Sequence, residues 1–314
     1  MSAVLNSDPA RLPASMQVFE RGWLSSNNVL FTGPGDTTLI DSGYKTHVPQ
    51  TLALVGHALG ERPLARIINT HLHSDHCGGN AALKARYGCR IGIPVAEAAS
   101  VAAWDEDALS FKATGQQCEP FGADFTVAPG DELELGGQLW QALGAPGHHP
   151  HSLIFFCPSE GIVISADALW RNGFGVIFPE LDGESGFLEA RATLDLIDSL
   201  DARLVIPGHG AMFTDVQPAL KRAFTRLDFL EADPLRNAEN AVKVILKFLL
   251  LERQRISLAQ VADMFASIPV LDKVRGRALQ RFETSAQMAD WAVQSLVRAG
   301  AAKRDGEELV NSDL

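Results

Sequence analysis

Apolar residues come in short runs over the first two-thirds of the chain, and turn residues separate them. Residues 16–21, 28–32 and 37–41 read as strands, with Gly33-Pro34-Gly35-Asp36 turning the last two into a hairpin. Residues 48–59 carry helical spacing and stop at Gly60. A short buried strand over 65–70 and a helix over 80–87 follow, then a strand over 90–93 before Pro94. Residues 96–120 are mixed and acidic, and predict a helix and a surface loop. Residues 125–127, 132–135 and 138–143 read as sheet interrupted by Gly130-Asp131 and Gly136-Gly137. Strands over 152–156 and 162–165 flank a turn at 158–161. A Gly- and aromatic-rich loop covers 169–183, then come a helix over 184–200 and a strand over 203–206. Residues 1–15 read as a loose arm.

From Pro218 the strand signals stop. Residues 218–232 and 240–252 read as helices, Ser257 as the N-cap of another, and 285–298 as a further helix ending at Gly300. Residues 301–310 alternate around Asp305-Gly306, which predicts a hairpin. The pattern divides the chain into 1–217, mixed α and β, and 218–314, mainly helical. The helix over 240–252 is apolar on nearly every face, so a homodimer through it is expected.

Composition narrows the partners. The net charge is −11, with 27 basic against 38 acidic residues, which disfavours nucleic acid and anionic membrane as general partners. Residues 240–314 hold 11 basic against 9 acidic side chains, including Lys273, Arg275, Arg277 and Arg281. That weak local excess keeps nucleic acid as a secondary reading. The four cysteines, Cys77, Cys89, Cys118 and Cys157, lack paired spacing and fit reduced thiols. Residues 1–16 lack the basic start and apolar run of a signal peptide. The apolar stretch 241–251 is too short for a bilayer and is broken by Lys243 and Lys247. A cytoplasmic protein with no membrane partner is expected.

Chemistry concentrates at residues 70–80, Thr-His-Leu-His-Ser-Asp-His-Cys-Gly-Gly-Asn, with three histidines and an aspartate from His71 to His76. Core packing does not ask for this, because each buried ring nitrogen needs its own partner. A divalent metal satisfies several at once. On a strand-to-helix loop, His71 and His73 can face one way while Asp75 and His76 face another, which fills two metal positions.

His-Leu-His-Ser-Asp-His matches the His-x-His-x-Asp-His signature of the metallo-β-lactamase superfamily. Pro146-Gly147-His148, Ser165-Ala166-Asp167 and Pro207-Gly208-His209-Gly210 resemble its later motifs, in order. The resemblance implies a four-layer αββα sandwich, an α+β fold. It implies two divalent metal ions, zinc first, with iron or manganese as alternatives. His71, His73 and His148 would hold one metal, Asp75, His76 and His209 the second, and Asp167 would bridge them. A hydroxide held between the two would be the nucleophile, and Asp75 would have a second, catalytic role, orienting it and passing a proton. The bridging aspartate resembles the thioesterase, lactonase and phosphodiesterase branches rather than the true β-lactamases. A hydrolase of an ester, thioester or lactone of a small metabolite is therefore expected, glyoxalase II-like or lactonase-like. No basic carboxyl-terminal signature for glutathione stands out.

The helices and hairpin of 218–314 resemble a winged-helix module, which some relatives with endoribonuclease activity carry. A phosphodiesterase or endoribonuclease, or a regulatory partner-binding protein, is the alternative. Trp170, Arg171, Phe174 and Phe178 follow Asp167, and either contact substrate or close the sandwich edge. His149 and His151 either donate hydrogen bonds behind the ligands or line the substrate cleft. Cys77 is assigned to packing, and Asn27 and Asn28 are left without a role.

Overall fold

The computed structural model describes residues 12–33 and 36–312. The Pro34-Gly35 turn and most of the amino-terminal arm lie outside the described residues. Fourteen strands and twelve helices are described. The strands are β1 (Met16–Phe19), β2 (Asn28–Phe31), β3 (Thr38–Ile40), β4 (Arg66–Ile68), β5 (Arg90–Pro94), β6 (Phe125–Val127), β7 (Glu132–Leu135), β8 (Gln138–Gly144), β9 (Leu153–Cys157), β10 (Ile162–Ala166), β11 (Leu204–Pro207), β12 (Arg255–Ser257), β13 (Ala302–Asp305) and β14 (Glu308–Asn311). The helices are α1 (Val48–Leu59), α2 (Ser74–Cys77), α3 (Asn80–Tyr87), α4 (Ala98–Ala103), α5 (Phe111–Thr114), α6 (Pro179–Asp182), α7 (Phe187–Ser199), α8 (Val216–Glu231), α9 (Leu235–Arg253), α10 (Leu258–Ser267), α11 (Pro269–Arg277) and α12 (Ser285–Arg298).

The first sheet has the order β1-β2-β3-β4-β5-β6, and the second β11-β10-β9-β8-β7. Side chains alternate between two cores, as period-2 geometry requires. On β3, Leu39 faces a core shared with α1 and α3, while Ile40 faces the other sheet. On β10, Val163 faces the α7 and α8 side, while Ile162 and Ile164 face between the sheets. The layers therefore run helix, sheet, sheet, helix. Antiparallel pairing of β2 and β3, Val29 opposite Ile40, agrees with the predicted hairpin.

Helix α8 packs on α7 and joins the core of the second sheet. A separate core forms beyond it from α9, α10, α11, α12 and the three-stranded sheet β12-β14-β13. Ser257 caps α10 with a capping box, its side chain accepting from the Gln260 backbone. The hairpin β13-β14 lies where alternation placed it. Helix α11 and strand β12 were not foreseen, because a Pro-led helix ending in arginines and a three-residue strand carry little periodicity. The apolar faces of α9 that suggested a dimer are spent inside the chain: Ala241, Val242, Ile245, Leu246, Leu249 and Leu250 are buried in this core. Among the described residues no helix is long and apolar enough to cross a membrane.

Candidate metal centre

The predicted ligands leave the same rim of the sandwich. Strand β4 ends before His71, β8 before His148, β10 before Asp167 and β11 before His209. His73 is extended, with φ −65° and ψ 148°, and precedes the single turn α2. That change of backbone sends the first two histidines one way and Asp75 and His76 the other.

Two groups result. Ligand atoms of His71, His73 and His148 lie within 4.8 Å of one another, as do those of Asp75, His76, Asp167 and His209. His73 Nδ1 is 3.1 Å from His71 Nε2 and 2.8 Å from His148 Nε2. His209 Nε2 is 3.0 Å from Asp75 Oδ2. Asp167 reaches both groups: its Oδ2 is 3.2 Å from His148 Nε2 and 3.4 Å from His76 Nε2.

The donor set fits divalent cations. His148 Nδ1 donates to the Val176 carbonyl at 2.6 Å, so its Nε2 lone pair faces His73. His76 Nε2 and His209 Nδ1 are buried with no hydrogen-bond partner among the described residues. The ring nitrogens of His71, His73, His148, His76 and His209 and the carboxylates of Asp75 and Asp167 thus converge on one rim. Burial and the neighbouring imidazoles hold His71 and His73 well below the usual histidine range. Burial lowers His148 likewise. His76 behaves oppositely: burial opposes its charge, but Asp41, Asp167 and Asp75 together raise it well above the usual value. Burial also opposes the Asp167 carboxylate, yet His76 and His209 hold it well below the carboxylate range.

A buried network fixes these side chains. Asp41 Oδ2 accepts from His76 Nδ1 at 2.7 Å and from Thr70 Oγ1 at 2.8 Å, and Asp41 Oδ1 accepts from the Thr70 backbone at 2.9 Å. A carboxylate behind a ligating imidazole sets its tautomer and orientation. Asn27 Nδ2 donates to the carbonyls of Pro207 and Gly210, and so pins the loop carrying His209. Gly208 lies so close that a Cβ would stand 2.2 Å from Asp167 Oδ1. Cys77 turns away from the ligands and packs 3.8 Å from the Cys118 sulfur, and burial pushes its thiol well up.

The groups floor a cleft of about 280 Å³. Trp170, Phe174 and Phe178, all singled out in the sequence, line it, and so do Trp23 and, from α9, Val244, Ile245 and Phe248. Trp170 Nε1 donates to Asp167 Oδ1 at 3.2 Å, and Trp23 stacks on the His209 ring with planes 7° apart. Three of the expected substrate residues lie elsewhere. Arg171 turns to Asp215 at 3.1 Å. His149 and His151 turn to the buried Glu97 carboxylate, at 3.5 Å and 2.7 Å, and so brace the loop behind His148. Burial lowers His149 to about 3. The sequence reading missed Asp41, Trp23 and Glu97 as site residues. Only Asp41 left a signal, an acid directly after an apolar strand beside the strand that delivers His71.

A model of the metallo-beta-lactamase superfamily matches residues 21–209. The chain belongs to that superfamily. A hydroxyacylglutathione hydrolase of Nitrobacter winogradskyi is 31% identical over 144 residues, which cover 46% of this chain and 47% of that protein. One from Bradyrhizobium is 32% identical over 155 residues, covering 45% of this chain and 53% of that protein. The chain thus spans about half the length of the curated relatives it matches. A metallo-beta-lactamase family protein from Thermus thermophilus, TTHA1429, shares the fold, with a TM-score of 0.57 at 18% identity, covering 96% of this chain and 100% of that chain. TTHA1623, solved in a di-iron-bound form, has a TM-score of 0.53 at 26% identity, covering 66% of this chain and 98% of that chain.

Proposed function

We propose that this protein is a binuclear metal-dependent hydrolase that cleaves an ester, thioester or lactone of a small metabolite. The observation that carries this reading is the Asp167 carboxylate, placed between the two histidine groups. In it, His71, His73 and His148 would hold one cation, Asp75, His76 and His209 the other, and Asp167 would serve both. Nitrogen and oxygen ligands of this kind suit zinc first, and iron or manganese as well. Two such cations, when bound, would supply an activated water at neutral pH and a Lewis acid for the scissile carbonyl.

The chain's own groups do the rest. Water adds to the acyl carbon, the bond to sulfur or oxygen breaks, and the proton that water gives up returns to the leaving atom. Asp75 is the group placed to carry that proton, since it lines the cleft floor beside His209. Trp170 holds Asp167 through its indole N–H, and Trp23 shields His209 from solvent. The name of the curated relatives, hydroxyacylglutathione hydrolase, supports trying thioesters first. We read residues 1–217, with the rest of α8 packed on them, as the catalytic part, and the helices beyond as one wall of its cleft.

The nucleic-acid reading gains nothing from the tail. Lys273 and Arg277 reach Asp182 and its carbonyl, Arg275 pairs with Asp272, and Arg281 pairs with Glu239 at 2.7 Å. The test is metal stoichiometry on wild type and Asp167→Ala, followed by a panel of thioesters, lactones, esters and phosphodiesters. About two metals per chain, fewer in the variant, and turnover of an acyl substrate are expected. One metal unaffected by the substitution, or turnover of phosphodiesters alone, would overturn the reading.

A further inference from the structure

The cleft is walled by apolar side chains and floored by carboxylates and imidazoles, but one arginine also lines it. Arg226 comes from α8, and it is the only lysine or arginine among the described residues that line the cleft. Its guanidinium lies 5.5 Å from the Phe174 ring centroid. It is half-buried, and its Nε is buried with no hydrogen-bond partner. No carboxylate pairs with it among the described residues, although the arginines around it are all matched. Arg171 and Arg222 share Asp215, and Arg191 is held between Asp228 and Glu231.

An unmatched cation in such a place needs an explanation. Withdrawing a guanidinium from water without an anion costs free energy. Burial alone draws its pKa below the ordinary arginine value, with nothing to offset it. The chain as a whole is acidic, at −11, and Asp75 and Asp167 lie in the same cleft. In the hydrolase reading Asp75 and Asp167 are taken up as ligands, which leaves Arg226, among the described residues, as the one unmatched cationic side chain in the cleft wall able to receive an anion away from the centre.

We propose that Arg226 anchors a carboxylate on the substrate, separated from the scissile carbonyl by an apolar spacer that lies along Phe174, Val176 and Ile245. This rests on the hydrolase reading and names its substrate class: an acyl ester or thioester bearing a remote carboxylate. Guanidinium is the side chain that grips carboxylate with two parallel hydrogen bonds. The carboxylate can sit on the acyl group or on the leaving thiol, and the two are separable by experiment.

The experiment uses the full metal-loaded chain and three thioesters. Adipoyl-N-acetylcysteamine carries its carboxylate on the acyl side. The hexanoyl thioester of 3-mercaptopropionate carries it on the thiol side. Hexanoyl-N-acetylcysteamine is neutral. One of the anionic compounds is expected to exceed the neutral one in kcat/KM, and Arg226→Gln is expected to cut that ratio by about 10- to 100-fold. Arg226→Lys, which keeps the charge without the fork, is expected to keep part of the preference. Calorimetric binding of adipate against hexanoate is measured on the same three proteins, without turnover. An anionic-to-neutral ratio that is the same in wild type and both variants, in rate and in binding, overturns the anchor and leaves the hydrolase reading intact. Adipate binding that depends on Arg226, with no thioester, ester or lactone of the wider panel cleaved, keeps the anchor and removes the hydrolase reading.

Discussion

Asp41→Asn isolates the group behind the metal centre. Asp41 is 2% exposed and touches no cleft, yet it receives His76 Nδ1, Thr70 Oγ1 and the Thr70 backbone N–H. Its backbone is left-handed, with φ 56°, a conformation that asparagine adopts more readily than alanine. The substitution therefore changes charge and hydrogen bonding while it spares the turn. An amide has a single acceptor oxygen, whereas the carboxylate serves four donors, Asn69 Nδ2 at 3.5 Å being the fourth. Either His76 or Thr70 must then face an NH₂ group. Losing a charge-assisted partner behind a ligating imidazole costs about 10- to 100-fold in metal affinity, or about 1.4–2.7 kcal/mol. That loss should fall mainly on the Asp75, His76 and His209 group, since Asp41 makes no contact with His73 or His148 and reaches His71 only through Thr70 Oγ1. Competition with a chromophoric chelator reads the two affinities separately. One affinity unchanged and one lowered is the expected result. Equal loss at both positions, or no loss at either, in a variant with wild-type circular dichroism, would refute the assignment of Asp41 to His76.

Further predictions concern the proton balance and the tail. His76 is raised well above the usual value, so at neutral pH it carries a proton that a cation must displace. The apparent affinity of its group therefore rises with pH up to the folded-state pKa and levels above it. The His71, His73 and His148 group is held neutral by burial and has no such slope. Calorimetry in buffers of different ionisation enthalpy should record proton release for one cation only. Leu246→Ala removes a fully buried side chain of α9 and should cost about 2–5 kcal/mol in denaturant unfolding of the tail core. The same variant should keep two metals per chain and raise KM, because α9 walls the cleft and supplies none of the predicted ligands. Ser257→Ala removes the cap of α10 and should lower stability by about 1 kcal/mol without changing KM.

The parts of this chain that were legible in its sequence are those ruled by local chemistry. Helices α1, α3 and α12 lie where spacing and glycine stops put them, and Gly60 has the positive φ, 60°, that its stop required. The seven predicted ligands meet in two groups because a strand, a turn and three later strand ends deliver them to one rim. What sequence could not show is what long-range packing decides. Nothing near His149 or His151 announces that Glu97, some 50 residues earlier, claims both rings. Arg171 looked like a cleft residue by position, but Asp215 takes it. The apolar helix over 240–252 reads as an interface, and most of its apolar side chains fill a core that only the folded tail reveals, while Val244 stays exposed at the cleft.

The backbone around the centre shows why so few residue types are tolerated there. Two non-glycine residues at the ends of site-bearing strands have left-handed backbones, Asp41 with φ 56° after β3 and Ala166 with φ 47° at the end of β10. Each such residue costs about 1–3 kcal/mol and persists only where its surroundings over-determine it. At Asp41 the carboxylate network supplies that determination. At Ala166 a register shift against β11 and the backbone bond from Gly208 to the Ala166 carbonyl do so. Both departures re-aim the chain at the point where it leaves the sheet. An extended continuation of β10 would carry Asp167 along the strand rather than across to His148 and His76. The strain is thus tied to the one carboxylate that touches both groups. Relieving it with glycine at 166 would ease the backbone and loosen the aim of Asp167. Ala166→Gly should therefore weaken metal retention at both positions while costing the fold little, a pairing that simple destabilisation would not produce.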